Sequence, residues 1–176
     1  FALLKAFFVI IHPPNISHIL RVDWSPLLPG TIKCNTDGAA HGASGFAGNG
    51  GLFHDYIGVV LGCFASFIGI QSTLYVDIFA IILAMEIILE NGWSNNWLEC
   101  DSKLVIEAFS NHFLVPCHLH KSWMNCLFYY KDITLVCSHV YKEGNSYADR
   151  LANYGVASQA PFLWWDYVPF LLGLSS

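Results

Sequence analysis

The stretch Thr31-Ile32-Lys33-Cys34-Asn35-Thr36-Asp37-Gly38-Ala39 decides how the rest of the chain is read. Ile32 and Cys34 alternate with Lys33 and Asn35, the period of two that gives a strand unlike faces. A strand is therefore expected over Thr31–Thr36, followed at once by a carboxylate, Asp37. Glycines at 38, 42, 45, 48, 50 and 51 come next, so the chain turns and enters a second strand near Phe46–His54. Asp55-Tyr56-Ile57-Gly58 reads as another turn and Val59–Phe67 as a third strand. Three successive strands joined this way make an antiparallel meander.

Beyond the meander the period changes. A helical pattern runs from about Thr73 to Asn91 and is stopped by Gly92. Asp77, Ala80, Ala84 and Ile88 fall on one stripe of it, with Asp77 expected in the first turn. Trp97-Leu98-Glu99-Cys100 is a fourth strand, and Asp101-Ser102 opens a helix as an N-cap pair. A helix over His118–Tyr130, a strand over Ile133–His139 and a final helix from Asn145 through Asn153, ended by Gly155, complete the pattern. The order β-β-β-α-β-α-α-β-α predicts an α/β domain with a mixed sheet. Pro13, Pro14, Pro26 and Pro29 mark an extended lead-in over 1–29. The domain itself is expected over 30–157, with an aromatic C-terminal tail over 158–176.

Composition narrows the function. The chain has 176 residues, 55% of them hydrophobic and 15% aromatic, which excludes disorder and supplies a sizeable core. Charged residues make up only 12%, against about 25% in ordinary soluble domains. The net charge is −5, so no polyanion is held by bulk electrostatics; a metal or a local patch must offset the repulsion. Six cysteines, at 34, 63, 100, 117, 126 and 137, form no C-x-x-C pair and favour reduced thiols in an intracellular compartment. The chain begins at Phe1 and not at Met, which points to a fragment or an imperfect gene model. Phe1–Ile11 is apolar around Lys5 without a clear cleavage site, and Asn15-Ile16-Ser17 is a glycosylation triplet common by chance.

The uncharged run from Tyr56 to Val76 is long enough to cross a bilayer and contains Gly58-x-x-x-Gly62. Gln71-Ser72-Thr73 interrupts it, however, and Asp55 and Asp77 flank it where Lys or Arg would be expected. No membrane association is expected.

Four carboxylates sit where elements begin or end: Asp37, Asp77, Asp101 and Asp149. Carboxylates at strand ends of an α/β sheet can converge on one edge and give a hard cation its oxygen ligands. Two such ions about 4 Å apart can activate water against a phosphodiester. Each residue also has an ordinary role, as turn residue, helix cap or dipole partner, and spacing alone leaves both readings open.

The local strings decide between them. Ile32-Lys33-Cys34-Asn35-Thr36-Asp37-Gly38-Ala39, Gly50-Gly51-Leu52-Phe53-His54-Asp55, Leu98-Glu99-Cys100-Asp101-Ser102 and His139-x5-Asn145-x3-Asp149-x-Leu151-Ala152 stand in order. Together they resemble the type 1 ribonuclease H family, and more narrowly the plant ribonuclease H-like domains related to non-LTR retrotransposon polyproteins. The resemblance spans residues 22–157. It implies a ribonuclease H-like fold: a mixed five-stranded sheet, three strands antiparallel and two parallel, flanked by helices. It further implies a metal-dependent endonuclease that hydrolyses the RNA strand of RNA–DNA hybrids with two Mg²⁺ or Mn²⁺ ions, acting as a monomer on a hybrid or other nucleic acid. By position, the metal ligands and catalytic carboxylates are Asp37, Asp77, Asp101 and Asp149. His139 falls at the loop histidine that helps product leave, and Gly38, Ser102 and Asn145 fall at substrate-binding positions.

The chain departs from that pattern where the family has Ala-Glu and it has Val76-Asp77. The exchange keeps the charge and shortens the reach by one methylene, roughly 1.3 Å, where ligands must be placed within about 0.5 Å. Lys142 stands where Arg is common, and His54 replaces an Arg. The alternative is thus a catalytically impaired ribonuclease H-like nucleic-acid-binding or interaction module derived from a retroelement. Gly48-x-Gly50-Gly51 fails the dinucleotide fingerprint and reads as a place where a hybrid backbone comes close. Cys117-His118-x-His120, with His112 and Cys126, offers zinc ligands, but at no standard spacing, and on a helix the two histidines point apart. Trp93, Trp97 and Trp123 are expected in the core.

Overall fold

The computed structural model describes residues 19–20 and 27–169. The rest of the lead-in, including Phe1–Ile11 and the Asn15 triplet, lies outside the described residues, as does the tail from 170 onward. Strands β2 (Ile32–Ala40), β3 (Gly45–His54) and β4 (Val60–Gln71) form the antiparallel meander. Helix α1 (Thr73–Asn91) then carries the chain across to β5 (Asn95–Cys100), which pairs parallel with β2. Helices α2 (Lys103–Ala108) and α3 (Cys117–Tyr129) lead to β6 (Thr134–His139), parallel to β5. A 3₁₀ turn over Lys142–Asn145 introduces α4 (Ser146–Ser158).

These are the five expected strands in their expected senses. The sheet also has a short strand at each edge. Ile19–Leu20 (β1) lies parallel to β6, and Leu163–Trp165 (β7) lies antiparallel to β4, so the order is β1-β6-β5-β2-β3-β4-β7. The outer strand β7 forms because its tryptophans alternate across the sheet. Trp164 reaches the Phe53 ring at 6.0 Å above the bare backbone of Gly62, and Trp165 meets Tyr154 of α4 at 5.8 Å on the other face.

Strand alternation splits the interior into two cores. Cys34, Phe53, Phe64 and Leu98 point to one face and pack with α1, α2 and α3, including the fully buried Trp123. Leu52, Cys63 and Ala65 point to the other and meet Leu151 of α4. Trp97 is buried and Trp93 packs against the larger core, as expected of both. Ser72 caps α1, its hydroxyl accepting from the Tyr75 N–H, and Gly92 ends the helix in the left-handed region at φ 67°. Tyr56–Val76 is divided among a hairpin turn, β4 and the start of α1, and among the described residues no helix is long and apolar enough to cross a membrane.

Two glycine readings are corrected. Gly155 does not end the last helix, which runs on to Ser158 and closes at Gln159, φ 53°. Gly155 instead lies against β4: a Cβ there would stand 2.5 Å from the Ser66 carbonyl oxygen. Gly48 and Gly50 are likewise buried under α4, where a Cβ would meet the Val156 nitrogen at 2.7 Å and the Ala152 nitrogen at 2.6 Å. Their missing side chains admit a helix, not a hybrid backbone. Gly155→Ala therefore destabilises the domain, although alanine is the better helix former by about 1 kcal/mol. Overpacking against backbone costs roughly 1–3 kcal/mol, so the expected melting temperature falls by several degrees; an unchanged or raised value in a thermal melt refutes the close docking.

Candidate active site

Four elements deliver the four carboxylates. Asp37 lies within β2, opposite Gly50 of β3, because the strand continues past it to Ala40. Asp77 lies in the second turn of α1, not the first, since the helix starts at Thr73. Asp101 follows the last residue of β5, and Asp149 lies in the first turn of α4. Asp37 and Asp77 are each only 5% exposed.

These carboxylates feel one another. Burial raises Asp37, and the charges of Asp101, Asp77 and Asp149 raise it further, to about 8, against the pull of the Gly38 N–H. That N–H donates to Asp37 Oδ1 at 2.9 Å. Burial and Asp101 push Asp77 up to about 7, while hydrogen bonds from Ser102 and from the Gly38 N–H pull it down. Ser102 is the N-cap of α2 yet makes no side-chain capping bond; its hydroxyl is turned to Asp77 instead. Gly38 is the one residue that fits here, since a Cβ would lie 2.5 Å from Asp77 Oδ1 and 2.7 Å from the Asp77 nitrogen.

The other predicted residues surround this cluster. His139 donates from Nε2 to the Asp101 carbonyl at 3.0 Å and meets the exposed Tyr141 ring edge-on at 5.5 Å. Lys142 Nζ lies 3.7 Å from Asp149 Oδ1, a long contact between an exposed lysine and a half-buried aspartate that carries little energetic weight. Asn145 is turned inward: it is 1% exposed, donates to the Thr36 carbonyl at 2.9 Å and accepts from Asn35. The proposed soft ligands are dispersed. His118 and His120 are exposed on α3, His112 accepts from Trp123 Nε1, and Cys126 is buried in the core.

Sequence reading missed the partners of Asn145. Asn35 and Glu99 stand inside the quoted strings, and their offset of two from Asp37 and Asp101 was the available signal. Among the described residues no three His, Cys, Asp or Glu side chains are already drawn together as a metal-ligand set. The donor chemistry nonetheless suits a hard cation: every donor is a carboxylate oxygen, and burial, then repulsion from the other carboxylates, raises the Asp37 pKa.

A sheet of this order, helices on both faces and carboxylates coupled across it, is a ribonuclease H-like fold. The chain belongs to the reverse transcriptase-like family, which matches residues 35–155. It is 31% identical over 159 residues, 84% of its length, to a protein of Arabidopsis thaliana named as a ribonuclease H protein, and spans 24% of that relative. Ribonuclease H1 of Halobacterium salinarum shares the fold at a TM-score of 0.64 and 23% identity, over 73% of this chain and 98% of that one. LC11-RNase H1, solved in complex with an RNA/DNA hybrid, superposes at a TM-score of 0.65 with 25% identity, over 72% of this chain and 97% of that one.

The raised carboxylates invert the usual pH dependence of an aspartate. With folded values of about 8 and about 7 against about 3.9 unfolded, the folded state holds the extra protons. Their favourable contribution is complete below about pH 4 and is lost as pH rises through 7 to 8. In cation-free buffer, Asp37→Asn should match wild-type stability near pH 4 and exceed it by roughly 1–3 kcal/mol at pH 8.5. Denaturant titrations across that range check this; an advantage that shrinks as pH rises contradicts the coupling.

Proposed function

We propose that this domain is a metal-dependent endonuclease that hydrolyses the RNA strand of RNA–DNA hybrids. The observation that carries the reading is Asp37, buried in a central strand and raised by the charges of all three other candidate carboxylates. Two buried carboxylates, Asp37 and Asp77, with two half-buried ones acting on them, are costly unless a cation is to be bound there. The 25%-identical neighbour solved with an RNA/DNA hybrid and the Arabidopsis relative support the substrate class.

Asp37, Asp77, Asp101 and Asp149 would hold the divalent ions. Bound there, such ions neutralise phosphate charge and make water a stronger nucleophile. The protein's own contribution is placement. The Gly38 N–H and the Ser102 hydroxyl fix the Asp37 and Asp77 carboxylates from inside the fold. His139, tied to the Asp101 carbonyl through Nε2, keeps its other ring nitrogen for moving a proton beside the site. Recognition of the hybrid rests on shape, 2′-hydroxyls and phosphates, not on base sequence.

One observation favours the impaired-module alternative. Asp77 is a methylene shorter than the family's Glu and is held back by Ser102 and Gly38. Mg²⁺ demands near-ideal octahedral geometry at about 2.1 Å, so the wild type is expected to cleave weakly in Mg²⁺ and better in Mn²⁺. On a labelled hybrid, Asp37→Asn abolishes cleavage in either metal, whereas Asp77→Glu raises kcat in Mg²⁺ by about tenfold and narrows the Mn²⁺ preference. No cleavage by wild type or Asp77→Glu in either metal rejects the nuclease reading and leaves the module.

A further inference from the structure

Close in sequence to the carboxylates lies a second set of polar side chains. Asn35 precedes Asp37 by two residues within β2, the spacing that puts both on one side of the strand, and Glu99 stands in β5 two residues before Asp101, which follows the strand end. Asn145 ends the turn that leads into α4, four residues before Asp149 in the helix's first turn. Asn35 and Glu99 stand directly opposite each other where β2 pairs with β5. All three residues are buried.

Their bonds form one chain. Asn35 Nδ2 donates to Glu99 Oε2 at 3.1 Å and to Asn145 Oδ1 at 3.3 Å. Asn145 Nδ2 donates to the Thr36 carbonyl at 2.9 Å, one residue before Asp37. Lys33 Nζ sits 2.9 Å from Glu99 Oε2 and neutralises it. The same ammonium lies over the Trp97 ring at 5.3 Å, and Trp97 Nε1 donates to Ser138 Oγ of β6 at 2.7 Å. Strands β2, β5 and β6 and the turn before α4 are thereby tied together through directional bonds.

We infer that Asn35, Glu99 and Asn145 are positioning residues that set the separation of Asp37, Asp101 and Asp149. The inference rests on those carboxylates being cation ligands. Asn145 acts from inside the fold and not on substrate, because both ends of its amide are engaged within the protein. It joins the start of α4, and so Asp149, to the backbone beside Asp37. Without it α4 can shift on the sheet, and an error of about 1 Å at such a site can cost 10²-fold in rate.

The test uses the full chain and Mn²⁺ as probe. Isothermal calorimetry should give Asn35→Ala and Asn145→Ala a Mn²⁺ affinity at least roughly tenfold below wild type. Asn145→Asp, which keeps an acceptor for Asn35 but sets an oxygen against the Thr36 carbonyl and adds a buried charge near Glu99, should show the same or a greater loss, with the fold followed by circular dichroism. Hybrid cleavage should lose kcat with KM within about twofold, and Glu99→Gln, which keeps an oxygen facing Asn35, should lose less than Glu99→Ala. Variants that melt lower yet bind Mn²⁺ as wild type does, with unchanged kcat, overturn the positioning role while leaving the carboxylate site standing. A wild type that binds no Mn²⁺ overturns the site itself, and the positioning role with it.

Discussion

Asp37 stands, 5% exposed, within a strand that is paired on both sides. A carboxylate so placed must be hydrogen-bonded, paired or kept protonated. Much of the surrounding architecture answers that requirement. Gly38 supplies an N–H to Asp37 and, by lacking a side chain, lets α1 bring Asp77 against β2. Gly50, opposite Asp37 on β3, lets α4 lie close to the same strand pair and carries Asp149 into range. The site is thus made by close approach of two helices, one on each face, to a backbone stripped of side chains at the points of contact.

Close approach sets the division of labour between the faces. The α1 face is sealed by large side chains, with Phe53, Phe64, Ile78 and Trp123 all fully buried. The α4 face has a small apolar set around Leu52, Cys63, Ala65 and Leu151, and Gly48, Gly50 and Gly155 take the place of bulk. A helix seated on backbone gains little from apolar area but is held within narrow limits, because neither surface can yield. That suits an element whose task is to present a carboxylate at a fixed position.

The fold was legible because strand alternation, the Gly92 stop and the Thr73–Asn91 helix pattern are local signals of the backbone's own making. The misses share one cause. Gly155 reads as a helix stop from its neighbours in sequence, while its reason is the Ser66 carbonyl on another strand. Ser102 reads as a cap and Asn145 as a helix start at a substrate-binding position, and their polar atoms go to Asp77 and Thr36 respectively. Trp164-Trp165 read as part of an aromatic tail, and only the bare Gly62 on β4 makes room for a seventh strand. The positions of the site carboxylates came through as motif, and their electrostatic coupling, a property of the assembled sheet edge, did not.

The Lys33–Glu99–Asn35–Asn145 chain is hard to explain by stability. Burying a carboxylate costs several kcal/mol, and its attraction to a partner at best roughly balances that cost; apolar residues of similar volume often serve as well or better. This chain has no shortage of such residues, with 55% of its composition hydrophobic. What apolar packing does not supply is direction. Methyl contacts tolerate sliding, whereas Asn35 can satisfy Glu99 and Asn145 together only when β2, β5 and the turn before α4 hold one relative position. Such a layer fixes register at a cost, and the cost falls where Asp37, Asp101 and Asp149 need a common reference. The polar cluster is therefore best understood through the carboxylates close to it in sequence.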